Sequence, residues 1–321
     1  MSLTLALLAV LAGLLLLAGG GELLVRGAVA IARLAGLTTA LIGLTVVAMG
    51  TSIPELVVSL IAALGGTPDI AMGNVIGSNL ANVGLILGLS ALLVTLPIHG
   101  TAATLEWPFM FVASSVAVLL ARDLTIDRLE GGFFVVALVL FLAFMTQQAR
   151  TGVQAEERTE IAGVVEARWP PRGSGAAVAA AALVLVGIAA LVLGGRLLVD
   201  GAVSLARYAG VTERVIGLTV VAVGTSMPEL AASLVAALRR HADVAIANII
   251  GSNIFNILGI LGTTALVQPV RVAPEMVTSD LWWMLGLSLL LYPFLRHRRR
   301  LDRLEGAVLL GAYIVYIALL L

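Results

Sequence analysis

Cysteine and lysine are absent from this 321-residue chain, and charge of either sign is scarce, at 12% of residues. Without cysteine there is no disulfide, no thiolate metal site and no cysteine nucleophile. All 19 basic residues are arginine, which we read as coding bias rather than mechanism. The formal net charge is zero and no basic stretch lies in a soluble domain, so nucleic acid is not an expected partner. Only three histidines occur, His99, His241 and His297, scattered near the ends of apolar runs. They offer no imidazole cluster for a soft metal. No Ser/His or paired-Asp constellation is visible, so the chain is not read as an enzyme.

What it has is apolar sequence. Hydrophobic residues make up 60% and the mean hydropathy is +1.09. A soluble domain carries about 25% charged residues. Runs of the roughly 20 apolar residues that a membrane helix needs recur along the whole length. The spans expected are about Leu3–Leu34, Ala40–Leu64, Ile70–Leu96, Leu105–Ala121, Gly132–Thr146, Ala176–Ala209, Val215–Leu238, Val244–Val267, Val277–Leu295 and Leu304–Leu321. The first is long for one crossing and should tilt or bend near Gly19-Gly20-Gly21. It lacks the charged n-region of a secretory signal, since the first positive residue is Arg26, so it is expected to stay as a helix. The one long polar stretch, Gln147 to Ser174, is too short for a domain and reads as a linker.

The pattern occurs twice. Gly43 to Leu56 and Gly217 to Leu230 are identical at twelve of fourteen positions. Glu55 recurs 174 residues later as Glu229, and Gly77 as Gly251. Gly21-Glu22-Leu23-Leu24 is echoed by Gly195-Arg196-Leu197-Leu198, and Arg128-Leu129-Glu130-Gly131 by Arg303-Leu304-Glu305-Gly306. The predicted fold class is therefore an all-α polytopic membrane protein. Ten transmembrane helices fall into two five-helix repeats, residues 1–148 and 176–321, joined by a cytoplasmic linker at 149–175. An odd number of spans per repeat inverts the second copy, and inverted repeats in transporters place the substrate site near the midplane at their interface. Arginine placement sets the orientation. With the N-terminus outside, the inside ends hold Arg33, Arg150, Arg158, Arg168, Arg172, Arg239, Arg240, Arg296, Arg298, Arg299, Arg300 and Arg303. Those are twelve, against five on the outside, Arg122, Arg128, Arg207, Arg214 and Arg271.

The repeated stretch carries the chemistry. Gly50-Thr51-Ser52-Ile53-Pro54-Glu55 and Gly224-Thr225-Ser226-Met227-Pro228-Glu229 each bury a carboxylate in an apolar span, which marks a functional site by default. Thr51 and Ser52 precede Glu55 by four and three residues, so all three share a helix face. Pro54 and Pro228 lack an N–H and release the carbonyls of Gly50 and Gly224. A freed carbonyl at membrane depth needs a partner, and a cation can be one. The next span of each half adds Asn74, Ser78, Asn79 and Asn82, or Asn248, Ser252, Asn253 and Asn256. Pooled, these groups are carboxylate, hydroxyl, amide and carbonyl oxygens, the cage of a hard cation. Ca²⁺ takes about 6–8 such oxygens. Two carboxylates balance one Ca²⁺ or can serve two or three Na⁺.

Gly-Thr-Ser-x-Pro-Glu followed by Gly-Ser-Asn-x-x-Asn, present twice, resembles the cation/calcium antiporter superfamily, and within it the prokaryotic sodium/calcium exchanger branch. The resemblance covers nearly the whole chain. It implies that Thr51, Ser52, Glu55, Ser78 and Asn82 line the site from one half, and Thr225, Ser226, Glu229, Ser252 and Asn256 from the other. It adds the backbone carbonyls of Ala48 and Ala222 as ligands, and long first and sixth spans that slide over a rigid core. Some relatives carry Asp in place of Asn256, and in the potassium-dependent branch that Asp goes with K⁺. Asn256 therefore leans towards K⁺-independent exchange.

The expected function is secondary active antiport of Na⁺ against Ca²⁺ by alternating access, in the cell (inner or plasma) membrane. H⁺/Ca²⁺ or K⁺-assisted exchange is the alternative, and a Ca²⁺-permeable channel a weaker one. Ca²⁺ and Na⁺ are the transported ions and no organic cofactor is expected. The partners are membrane lipid and these cations, and a monomer is the expectation. Other polar residues have plainer readings. Thr45 and Thr219 are taken as helix contacts, Asn79 and Asn253 as structural hydrogen-bond formers, and Gly77 and Gly251 as packing devices. Glu22 with Arg26, and Arg196 with Asp200, are taken as structural ion pairs. Arg298-Arg299-Arg300 is taken as a topology and anionic-lipid signal.

Overall fold

Lipid offers no partner for backbone N–H and C=O groups, so each apolar run has to satisfy them within itself, as helix. The computed structural model describes residues 2–35, 39–66, 68–98, 101–151, 175–208, 224, 226–297 and 299–320, and these are helical almost throughout. In chain order the helices are α1 (Leu3–Ala35), α2 (Thr39–Thr51), α3 (Ile53–Leu64), α4 (Pro68–Leu93), α5 (Ala102–Asp123) and α6 (Arg128–Thr151). Then follow α7 (Ala176–Tyr208), α8 (Met227–Leu238), α9 (Ala242–Val267), α10 (Leu281–Arg296) and α11 (Arg303–Leu320). Among the described residues seven helices are long and apolar enough to cross a membrane, and eight if α2 and α3, bent by 44° at Ser52, count as one.

Burial separates an inner set from an outer one. Of the most apolar stretch of α9, 94% is buried, and of α4, 78%, against 28% for α1 and α7 and 22% for α6 and α11. So α4 and α9, which carry the asparagines, form the centre, and the smooth apolar outer helices face lipid. The long-range packing joins one half to the other. α1 lies along α7, α6 packs on the C-terminal half of α9, and α11 on that of α4.

No break interrupts the first helix at its three adjacent glycines. α1 runs unbroken for 33 residues, and its glycines serve packing instead. Gly13, Gly20 and Gly27 are spaced seven apart, as are Gly187, Gly194 and Gly201 on α7. A Cβ on Gly20 would lie 2.9 Å from the Leu191 nitrogen, and one on Gly187 2.6 Å from the Leu24 nitrogen. Gly13 meets Leu198 while Gly27 meets Val184, so the two helices run antiparallel with their backbones touching. Small residues at such a seam let helices in lipid gain van der Waals contact.

Two short antiparallel ribbons cap the bundle. β1 (Leu96–Pro97) pairs with β4 (Arg300–Leu301), and β2 (Thr125–Ile126) with β3 (Val270–Arg271). Leu96 faces Leu301, and their repeat counterparts Val270 and Ile126 face each other in the same register.

The seam yields a contrast. Gly20→Ala drives a methyl into the α7 backbone and is expected to cost about 1–3 kcal/mol of stability. Gly19, one position away, is exposed with nothing within 4 Å, so Gly19→Ala is expected to be neutral or slightly stabilising. Melting temperatures of the two purified variants in detergent check this, and equal melting would contradict the seam.

Candidate cation site

The Pro-Glu pair shapes its own helix ends. Pro54 sits in the first turn of α3, where its missing N–H costs least, and Ser52 before it leaves helical geometry at φ −85° and ψ 8°. Ser226 before α8 repeats this at φ −88° and ψ 11°, with Pro228 in the first turn. Glu55 and Glu229 therefore stand in first turns of α3 and α8, where N–H groups lack partners within the helix and the helix dipole favours negative charge.

The two motifs meet across the molecule. Glu55 and Glu229 are each 1% exposed. The Ser52 hydroxyl donates to Glu229 Oε1 at 2.8 Å, and the Ser226 hydroxyl lies 3.3 Å from Glu55 Oε1 and 3.3 Å from Ser78 Oγ. Each half thus supplies a hydroxyl to the other half's carboxylate. The Thr51 hydroxyl is bonded back to the carbonyls of Val47 and Ala48, at 3.1 and 3.3 Å. The Ala48 carbonyl also accepts the Ser52 N–H at 3.1 Å.

The asparagines come from α4 and α9. Asn74 Nδ2 donates to the Glu55 carbonyl at 3.0 Å and to Ser59 Oγ at 2.9 Å, and its counterpart Asn248 donates to Ser233 Oγ at 2.8 Å. All three bonds tie a motif helix to the helix that follows it. Asn82 and Asn256 each lie at the second position of a π-helical segment, Ala81–Leu87 and Phe255–Leu261. Such wider turns inside α-helices are frequent at functional sites. Here each places one asparagine inside the bundle.

Among the described residues, several of these oxygens have no hydrogen-bond partner. They are Glu55 Oε2, Glu229 Oε2, Asn82 Oδ1, Asn248 Oδ1, Asn256 Oδ1 and Ser252 Oγ, all buried. Leaving a buried acceptor unmade costs about 1–3 kcal/mol, and more for a charged one. Two buried carboxylates facing each other also repel. A cation relieves both penalties at once. Among the described residues no cluster of three or more His, Asp or Glu exists, so the charge of any site here comes from this pair and the remainder from neutral oxygens.

Ten of the twelve residues expected to line the site are described, and they fall on α2, α3, α4, α8, α9 and the breaks between them; Thr225 and Ala222 lie outside the described residues. Asn79 and Asn253 form hydrogen bonds, as expected, at 3.3 Å with Asn256 and 3.0 Å with Asn82. Gly251 packs as expected, with a Cβ there lying 2.5 Å from the Leu44 carbonyl, whereas the counterpart of Leu44, Leu218, is outside the described residues. Glu22 pairs with Arg26 at 2.5 Å and also with Arg239 at 2.7 Å. The expected Arg196–Asp200 pair is not formed among the described residues; both side chains are exposed. Ser59, Ser233, Met110 and Met284 escaped the sequence reading, because a lone serine or methionine in an apolar helix carries no signal. A repeat-aligned comparison could have found them, since both pairs are 174 residues apart.

The family model described as "Sodium/calcium exchanger protein" matches residues 5–147 and again 179–321, so both halves are recognised separately at the same 174-residue offset. The inner membrane protein YrbG of Escherichia coli (strain K12) is 37% identical over 278 residues, covering 84% of this chain and 82% of its own. The sodium/calcium exchanger MaX1 of Methanosarcina acetivorans is 32% identical over 298 residues, with 84% and 85% covered. A solved structure of the sodium-calcium exchanger NCX_Mj superposes with a TM-score of 0.85 at 29% identity, over 100% of both chains. On the match of both halves to one family model, and on this likeness over the full length, the chain belongs to the sodium/calcium exchanger protein family.

Proposed function

We propose that this protein exchanges Na⁺ for Ca²⁺ across the membrane by alternating access, through one site shared by both ions. The observation that carries it is the buried pair Glu55 and Glu229, each hydrogen-bonded by a serine of the opposite half and each with its second oxygen unpartnered among the described residues. The ligands we assign are Glu55, Thr51, Ser52, Ser78, Asn82 and the Ala48 carbonyl from the first half. From the second they are Glu229, Thr225, Ser226, Ser252, Asn256 and the Ala222 carbonyl. The pair neutralises one Ca²⁺, and the neutral oxygens complete the 6–8 that Ca²⁺ takes at about 2.3–2.6 Å. The same carboxylates serve Na⁺ ions when Ca²⁺ leaves. Because the ions compete for the same two charges they cannot be bound together, and exchange rather than co-transport results. The sodium/calcium exchangers among the relatives support this pair of ions.

We further assign ten spans in two inverted repeats, 1–148 and 176–321, with the N-terminus outside and the linker 149–175 in the cytoplasm. The ribbons support the inversion. β1 ends the third span of one repeat, whereas β4 joins the fourth and fifth spans of the other. In repeats of equal orientation these points lie on opposite membrane faces, and only inversion brings them together. The antiparallel packing of α1 on α7 supports it as well. Only 28% of the most apolar stretch of each of these helices is buried, and a glycine seam joins them, which suits the pair to move as a unit and expose the site to each side in turn.

Two outcomes are expected. Proteoliposomes loaded with Na⁺ and diluted into Na⁺-free buffer should take up Ca²⁺, without need of K⁺ or a proton gradient. Glu55→Gln and Glu229→Gln should each reduce uptake at least a hundredfold while the protein still elutes as a folded peak; uptake at the wild-type rate in either would remove that carboxylate from the site. For topology, the absence of cysteine makes single-cysteine labelling clean. Arg271→Cys and Arg300→Cys, both at exposed ribbon positions, should react with an impermeant maleimide from outside and inside respectively. Labelling of both from one side would contradict the inversion.

A further inference from the structure

Four buried asparagines cross-link the halves in two symmetric chains, each ending on a methionine. In one, Asn82 Nδ2 donates to Asn253 Oδ1 at 3.0 Å, and Asn253 Nδ2 donates to Met110 Sδ at 3.5 Å. In the other, Asn256 Nδ2 donates to Asn79 Oδ1 at 3.3 Å, and Asn79 Nδ2 to Met284 Sδ at 3.5 Å. All four asparagines and both methionines are buried. The direction of each chain follows from its last member. A thioether sulfur accepts weakly and cannot donate. Asn253 must therefore turn its NH₂ to Met110 and its oxygen to Asn82. Asn82 is then obliged to offer its NH₂ to Asn253, and its own Oδ1 is left over. That oxygen and its counterpart on Asn256 are two of the unpartnered buried atoms. Were Asn82 reversed, two carbonyl oxygens would face each other in a dry interior.

We propose that Asn253 and Asn79, oriented by Met110 and Met284, are positioning residues that hold the amides of Asn82 and Asn256 with their oxygens free for the transported cation. The proposal rests on the assignment of Asn82 and Asn256 as ligands, and gives each a partner from the other half. Outer partners of this kind fix the aim of a ligand, and their loss typically weakens metal binding by roughly 10–100-fold. Because every relay crosses the interface, the amide oxygens stay aimed only while the halves are seated on each other, which couples the ligand geometry of one repeat to the position of the other.

The test is a double-mutant cycle on Na⁺-driven Ca²⁺ uptake in proteoliposomes, reading the half-saturating Ca²⁺ concentration and the maximal rate separately. Asn82→Leu removes the ligand oxygen. Asn253→Leu keeps the volume but removes the acceptor, and is expected to raise half-saturation roughly tenfold. The double variant is expected to be no worse than Asn82→Leu, since a ligand that is gone cannot be misaimed. Met110→Leu, a volume-conserving change with little folding cost, should raise half-saturation about threefold by releasing the amide of Asn253. It also serves if Asn253→Leu does not fold. Additive losses in the cycle, or unchanged half-saturation in Met110→Leu and in folded Asn253→Leu while Asn82→Leu is impaired, would overturn the positioning role alone. Wild-type half-saturation in Asn82→Leu would overturn the ligand assignment and the relay with it.

Discussion

Two carboxylates held inside a membrane-spanning bundle are the constraint on which the remaining structure depends. Taking an ion out of water costs several kcal/mol even after relaxation, and two ions of one sign in one place cost more. Among the described residues no arginine answers them. The protein supplies hydroxyl donors, helix N-termini and amide dipoles, which soften the charge without cancelling it. A cage of that kind is incomplete by design, because a site whose charge were fully neutralised by the protein would have nothing left to hold a cation.

That arrangement needs two halves. Ser52 serves Glu229 and Ser226 serves Glu55, Asn82 leans on Asn253 and Asn256 on Asn79, and the ribbons pair across the repeats. A single repeat would leave each of these groups without its partner. The same dependence places the proposed site where the halves meet. The glycine seam of α1 and α7 lies outside this polar centre, and its smoothness contrasts with the interlocked hydrogen bonds inside.

The break between α2 and α3 could be anticipated, because Pro54 has no N–H to give and its ring crowds the preceding turn. The role of Gly20 could not. Three adjacent glycines read as a weak point in a helix, yet only the approach of α7 makes their missing side chains useful, and the seven-residue spacing gains meaning once both helices are known to touch. The relay through Met110 was equally hidden. A methionine in an apolar helix is ordinary, and its lone pairs matter only because Asn253 ends beside it. The failure of Arg196 and Asp200 to pair, against Glu22 and Arg26 which do, shows the limit of spacing as an argument. A four-residue separation permits contact, and the surroundings decide whether it is made; Glu22 has Arg239 beside it as well.

From the sequence alone came the membrane class, the duplication and the identity of the buried acids, since hydropathy, repetition and a charge in an apolar span are properties of the chain itself. Which hydroxyl meets which carboxylate, which amide oxygen is left free and which glycine touches a neighbour were decided by the tertiary structure. Those are contacts between residues often more than 140 positions apart, as with Ser226 and Ser78, and no local pattern encodes the distance between them.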